Sequence, residues 1–242
     1  MISWEAFVEK FINQQGYEIV LNGLMNTVII AVFGLLFGFI LGSIFAVIKA
    51  IPNYKNPFVT IIQKIVDLYV MIFRGTPMVV QLLLIHFAIF PALGIDFANI
   101  PLGKYTIPGN AIEAIITFAL NSAAYISEIM RGGINSIDIG QLEAGRAVGL
   151  SYSKTMTSII IPQAFKNVLP TLGNEFIALI KETSVVSFIA VIDVTKAFQT
   201  MANSNYQYII SYLMLAVVYL VLVVLITILI RFVEKKLKKG ER

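Results

Sequence analysis

The sequence predicts an all-α integral membrane protein with about five transmembrane helices. Three observations predict it. Hydrophobic residues make up 58% of the 242 residues and charged residues only 13%, against about 25% charged in typical soluble domains. Mean hydropathy is +0.84. Apolar runs of about 20 residues, enough to cross hydrocarbon, recur along the chain. A soluble fold could not hide so much apolar surface, because more than half its exterior is already apolar at ordinary composition.

The same composition excludes several functions. There are no cysteines and one histidine. A disulfide framework, a thiolate zinc site, a Cys nucleophile and a multi-His metal centre are all ruled out. No catalytic cluster is expected either. The net charge of +4 suits cytoplasmic loops facing anionic lipid better than nucleic acid. Residues 1–242 are expected to form one transmembrane domain.

Residues 1–18 carry Trp4, Phe7, Val8, Phe11 and Ile12 at helical spacing, with Glu5, Glu9 and Lys10 opposite. This pattern predicts an interfacial helix on the outer surface. No small-residue cleavage site comes after it, which argues against a removed leader. The first span runs from about Leu21 to Ile48 and contains Gly34, Gly38 and Gly42. That GxxxGxxxG line admits a close neighbour, although glycine is also simply commoner in membrane helices. Lys49 to Asn56, with Pro52, is a polar turn. A helix from Pro57 to about Phe73 breaks at Arg74-Gly75-Thr76-Pro77, and Met78 to Phe90 continues apolar. Pro91 to Pro108 reads as loop. A span from Pro108 to Met130 precedes a polar segment, Arg131 to Pro162. Pro170 to Val191 is apolar but interrupted by Gly173, Glu175, Lys181 and Glu182. The last span, Tyr208 to Ile230, ends in a basic tail of Lys235, Lys236, Lys238 and Lys239.

The span count turns on Arg74. A straight helix over Pro57–Phe90 would be about 51 Å long, too long for one crossing unless bent or tilted. Two crossings there would leave Lys49 and Lys55 outside, against the positive-inside rule. Five spans are therefore predicted, with the N-terminus outside and the C-terminus cytoplasmic.

Ionisable groups at membrane depth are functional candidates by default. Those here are Lys64, Asp67, Arg74, His86, Glu113, Glu128, Glu175, Lys181 and Glu182. Arg74 and Thr76 flank a helix break, where free N–H groups and a dipole end meet a guanidinium suited to a carboxylate. Alternatively Arg74 pairs with Asp67 or Glu128 and holds a kink. Glu128 suits a cation or pairs with Arg131 at i+3. Asp67 and Lys64 are i, i+3 neighbours that can satisfy each other. Lys181 and Glu182 can form a gate or pair with another subunit. Asn121, Ser122 and Tyr125 can bond substrate or join helices. His86 can line the pore or bond a neighbour, and the second reading is preferred.

Gly140 to Pro170 reads as two short helices with a corner. Leu142 to Val148 is helical in pattern, Gly149 supplies a left-handed stop, and Ser151 or Ser153 can cap the next helix. Pro162 suits the first turn of the helix that re-enters the membrane. Such an elbow suggests docking into a groove of another protein.

Glu143-Ala144-Gly145, Gly149, Ile159 and Ile161-Pro162 resemble the EAA motif, EAA-x3-G-x9-I-x-LP, of binding-protein-dependent ABC importer permeases. Gly145 replaces Ala and Ile161 replaces Leu. Arg74-Gly75-Thr76-Pro77 with Gln81-Leu82 resembles the RGTPxxxQL segment of polar amino acid permeases. Glu128-Ile129, Arg131-Gly132-Gly133-Ile134 and Gly140-Gln141 resemble their EIxRGGI…GQ approach, and Lys181-Glu182-Thr183-Ser184 their K-[DE]-T-S segment. The resemblance covers most of residues 20 to 235.

It implies a type I importer permease with residues 138–162 as the cytoplasmic coupling loop, in a prokaryotic inner or plasma membrane. The chain binds no cofactor; ATP and Mg belong to a partner ATPase, present in two copies. No Walker A sequence occurs here. A second permease, identical or paralogous, pairs in the bilayer, and an amino-acid-binding protein docks outside. Glu143 is expected to bond the ATPase groove. The acidic groups at depth favour arginine, lysine or histidine as substrate, with glutamine, glutamate or cystine as the alternative. A channel would not need the elbow.

Overall fold

The computed structural model describes residues 3–51 and 56–238. Pro52, Lys55 and Lys239, in the predicted turn and tail, lie outside the described residues. The chain is helical nearly throughout. Lipid offers no hydrogen bonds, so a spanning backbone must satisfy its own.

Helix α1 (Trp4–Val8) is capped by the Ser3 hydroxyl and runs into a π-helical turn, Glu9–Asn13. Trp4 is exposed, but Phe7 is buried. It packs with residues of α10 (Val194–Asn205) and α11 (Tyr208–Lys238). The amphipathic segment is thus partly a clasp on protein and not wholly a float on lipid.

Helix α2 (Gly16–Ala50) and helix α6 (Gly109–Asn135) form the main seam. Gly34, Gly38 and Gly42 are its contact line. A Cβ on Gly34 would stand 2.9 Å from the Phe118 Cβ, and one on Gly38 2.7 Å from the Ser122 Cβ. On Gly42 it would stand 2.7 Å from the Ala123 carbonyl oxygen. The glycines are therefore contact residues and not incidental. The seam also buries Ile30 and Phe118, together with Leu179 and Ile180 of helix α9 (Ile161–Glu182).

Helix α3 (Pro57–Gly75) leads to α4 (Met78–Leu84), a π turn Ile85–Ile89 and a short α5 (Phe90–Ala92). The two halves meet at 108°. This bend removes the length conflict that a straight helix would create. Pro91–Pro108, expected as loop, contains an antiparallel hairpin. Ile100–Leu102 (β1) pairs with Tyr105–Ile107 (β2) around Gly103 at φ 63°. Three-residue strands carry too little periodicity to announce themselves.

Helix α9 ends at Glu182 and tightens into a 3-10 turn, Thr183–Ile189. Asn110 and Asn26 donate to the Ile189 and Ile192 carbonyls, both at 2.8 Å, and so hold the link around Ala190 at φ 61°. Helix α10 is not among the elements expected from the sequence. Its start is nevertheless readable in Asp193, whose carboxylate accepts the Lys196 and Thr195 N–H groups at 2.8 and 3.0 Å.

Among the described residues, α2, α6 and α11 are long and apolar enough to cross a membrane, and the bent α3–α4 pair makes a fourth candidate. α9, with Gln163, Lys166, Asn167, Asn174 and Glu175 along it, is not among them.

A bulky side chain cannot enter the α2–α6 seam. Gly38→Leu is expected to lower stability by about 1–3 kcal/mol, the usual penalty of overpacking. Gly75→Ala, with nothing near its Cβ position, should change it little. Melting of the detergent-solubilised protein by fluorescence-detected gel filtration checks both.

Candidate functional site

Charges gather where α2 ends. Lys49 lies in the last turn of α2, where a cation suits the helix dipole. Its Nζ is 2.7 Å from both Asp67 of α3 and Glu128 of α6. Glu128 also meets Arg131 at 2.7 Å and Arg74 at 4.0 Å. Asp67 therefore pairs across helices with Lys49, not with Lys64 as the spacing suggested. An exposed i, i+3 pair gains little, whereas an enclosed ammonium needs its counter-charge. The Glu128–Arg131 pair is as expected.

Arg74 is the loosest member of the cluster. It is 45% exposed on its side chain and lies 5.5 Å over the Tyr125 ring. Three cations face two carboxylates, so one positive charge is left in excess. The geometry partly supports the kink reading through Glu128 and leaves the guanidinium reachable.

The bend has its own chemistry. A helix that stops leaves its last carbonyls without donors. The Thr76 hydroxyl donates to the Ile72 carbonyl at 2.8 Å. Gln81 Nε2 donates to the Phe73 carbonyl, the Thr76 carbonyl and the Thr76 Oγ1 at 2.8, 3.0 and 2.8 Å. Asn121 Nδ2 donates to Gln81 Oε1 at 2.9 Å. Gln81 is 7% and Asn121 4% exposed. Asn121 and Thr76 are thus occupied in holding the bend. Gln81 sits within the RGTPxxxQL segment, and the sequence alone assigns it no role. The signal that could have found it is an amide one turn beyond a Gly-Thr-Pro break.

Ser122 is buried against Gly38 and serves the seam. Lys181 and Glu182 are exposed at the end of α9 and form no ion pair among the described residues. They do not join the Lys49 cluster. Their neighbours Leu179 and Ile180 pack near Ile30, roughly 28 Å along α2 from Lys49. His86 is bonded to Glu113 at 2.5 Å, as the sequence suggested.

The elbow is built as its residues dictate. Asp138 caps α7 (Ile139–Ala147) by accepting the Gly140 N–H at 2.7 Å. Gly149 has φ 84°. Its N–H reaches the Arg146 carbonyl and the Leu150 N–H reaches the Gly145 carbonyl, both at 3.0 Å. This is the two-bond glycine stop of a helix. Ser151, rather than Ser153, caps α8 (Tyr152–Thr155). Pro162 stands in the first turn of α9, as expected. A π turn, Met156–Ile160, joins α8 to α9 with no loop between them.

Gly145, one of the two departures from the motif, is buried. A Cβ there would stand 2.5 Å from Thr155 Cγ2. The small residue thus matches its stiff neighbour. Ile139 and Val148 are 69% and 77% exposed, and Glu143 and Ala144 are exposed beside them. Tyr152 ties the elbow to the end of α2 by donating to the Ala50 carbonyl at 2.8 Å.

Three long apolar helices, a bent helix pair and a capped, partly apolar elbow describe a helical membrane protein. Residues 34–239 match the family described as binding-protein-dependent transport system inner membrane component. The chain belongs to that family, and it is a permease component, not an enzyme. It is 37% identical to the arginine transport system permease protein ArtQ of Bacillus subtilis (strain 168), covering 92% of this chain and 94% of that protein. It is 36% identical to the putative glutamine transport system permease protein GlnP of Rickettsia bellii, covering 90% and 92%. It is 36% identical to the L-cystine transport system permease protein TcyL of Bacillus subtilis, covering 89% and 85%. A crystal structure of an amino acid ABC transporter with histidines superposes with TM-score 0.78 at 30% identity, covering 98% of this chain and 99% of that one.

Gln81→Leu strips the bend of its donors and should cost about 1–3 kcal/mol, read as a lower melting temperature. Gly145→Ala should also lower it, and adding Thr155→Ala should recover part of the loss, giving a non-additive cycle.

Proposed function

We propose that the chain is the transmembrane permease subunit of an ATP-driven, binding-protein-dependent importer of polar amino acids, with a preference for cationic ones. The elbow carries this reading. A rigid glycine-locked corner presents Ile139, Glu143, Ala144 and Val148 outward and is anchored to α2 through Tyr152. That is the form of a lever for a partner's groove. Two ATPase subunits hold ATP and Mg, and their closure moves the elbows of two permease subunits. The helices then alternate between inward-open and outward-open states, and a binding protein delivers substrate from outside.

The basic residues favour one orientation. Lys49, Arg131, Arg146, Lys154 and Lys166 share the elbow side with the α11 tail, which supports a reading with that side in the cytoplasm and the N-terminus outside. α9 then completes five crossings. Arg74, with Tyr125, is the group for the substrate α-carboxylate. Glu175 and Glu182, two turns apart on one face of α9, suit a cationic side chain at a station of the pathway separate from Arg74. The relatives named for arginine support the cationic class, and those named for glutamine and cystine keep the alternative. The unbalanced charge of Arg74 favours that second reading.

Proteoliposomes holding this chain, its ATPase and its binding protein are expected to accumulate labelled arginine, lysine or histidine with ATP on the ATPase side. Accumulation of glutamine, glutamate or cystine alone would discard the cationic preference. In the same assay Glu143→Lys and Gly149→Glu should reduce uptake to the ATP-free background while insertion survives. Normal ATPase attachment and uptake in both variants would overturn the elbow's role.

A further inference from the structure

The charged cluster at the end of α2 has a division of labour. Lys49 is the most enclosed of its three cations and stands 2.7 Å from an oxygen of each acid, Asp67 and Glu128. Glu128 spends both of its oxygens. Oε1 accepts from Lys49 and Oε2 from Arg131, each at 2.7 Å. Arg74 Nη1 meets that same Oε2 only at 4.0 Å, beyond hydrogen-bond range. Asp67 lies two turns before Arg74 on one face of α3, but its Oδ1 is on Lys49. Both acids that could close on Arg74 are therefore held by Lys49.

Taking Lys49 away would change the balance. Two cations, Arg74 and Arg131, would face two carboxylates, and Glu128 Oε1 would be released toward Arg74. With Lys49 in place, Arg74 keeps its planar fork beside the Tyr125 ring, 5.5 Å away, with no acid in close contact. A guanidinium so placed suits a carboxylate from outside the chain.

We propose that Lys49 is a positioning residue for the substrate. By occupying Asp67 and Glu128 it leaves one positive charge of the cluster unmatched, on Arg74, for the substrate's α-carboxylate. Lys49 itself need not touch the substrate. The proposal rests on the reading of Arg74 as the group for that carboxylate. It makes affinity follow the net charge of the cluster, whereas a merely structural role would make affinity follow the number of intact ion pairs.

The test uses this chain assembled with its ATPase in nanodiscs, without the binding protein, so that binding to the membrane complex is read directly. The probes are labelled arginine and labelled glutamine, which share the α-carboxylate. Lys49→Gln should raise the dissociation constant roughly three- to fivefold, the scale of a partly exposed ion pair. Lys49→Arg should keep the unaltered value. Lys49→Gln with Glu128→Gln restores the excess charge and should recover the affinity, although it has lost more ion pairs than Lys49→Gln alone. Co-elution with the ATPase on gel filtration selects the variants that are folded. An unchanged constant in Lys49→Gln, or a double variant that binds no tighter than Lys49→Gln, would overturn the proposal. Arg74→Gln separates it from the reading beneath. Should Arg74→Gln weaken binding while Lys49→Gln does not, the proposal alone falls. Should Arg74→Gln bind as the unaltered complex does, or neither probe bind that complex, the α-carboxylate reading falls and the proposal with it.

Discussion

The contact of α2 with α6 is the constraint on which the remainder of the molecule depends. In lipid no water-driven force pulls apolar helices together, so association relies on close packing. Gly34, Gly38 and Gly42 provide it by letting the helices approach until Phe118, Ser122 and Ala123 occupy the space of the missing side chains. Once the seam is set, Lys49 at the end of α2 is brought to Glu128 on α6. α9 then packs over the pair through Leu179 and Ile180, and the elbow that precedes it is positioned by the same contact.

Breaking a helix inside a membrane exposes carbonyls that nothing in the lipid can satisfy. The α3–α4 bend answers with two buried amides. Gln81 comes from the helix after the break and Asn121 from α6. The bend is therefore fixed to the seam helix rather than free to swing. Polar residues that look like a substrate lining in sequence are here spent on backbone carbonyls. Arg74, one residue before the bend, keeps much of its charge uncommitted because its carboxylate partner is shared with Lys49 and Arg131.

The elbow shows how a motif and its local departure can be read together. Glu143 and Ala144 are outward, Gly149 makes the left-handed stop, and Gly145 is small because Thr155 lies against it. The paired glycine-stop hydrogen bonds, the Ser151 cap and the Tyr152–Ala50 bond make the corner stiff.

Composition and periodicity by themselves determined the membrane class, the long α2, α6 and α11, the break after Arg74 and the two-helix elbow. Each of these is a local property. Apolar length, a Gly-Thr-Pro interruption and cap residues act within one or two turns of the chain. The pairing of Asp67 with Lys49, the roles of Gln81 and Asn121, the clasping of Phe7 and the separation of Lys181 and Glu182 from the charged cluster were decided only in three dimensions. Hydrogen bonds and ion pairs between helices join residues far apart in sequence, and helical spacing ranks only partners on the same helix. The hairpin and α10 fell between these cases. Their signals, a Gly-Lys turn and the Asp193 cap, were present but short, and the surrounding fold gave them their form.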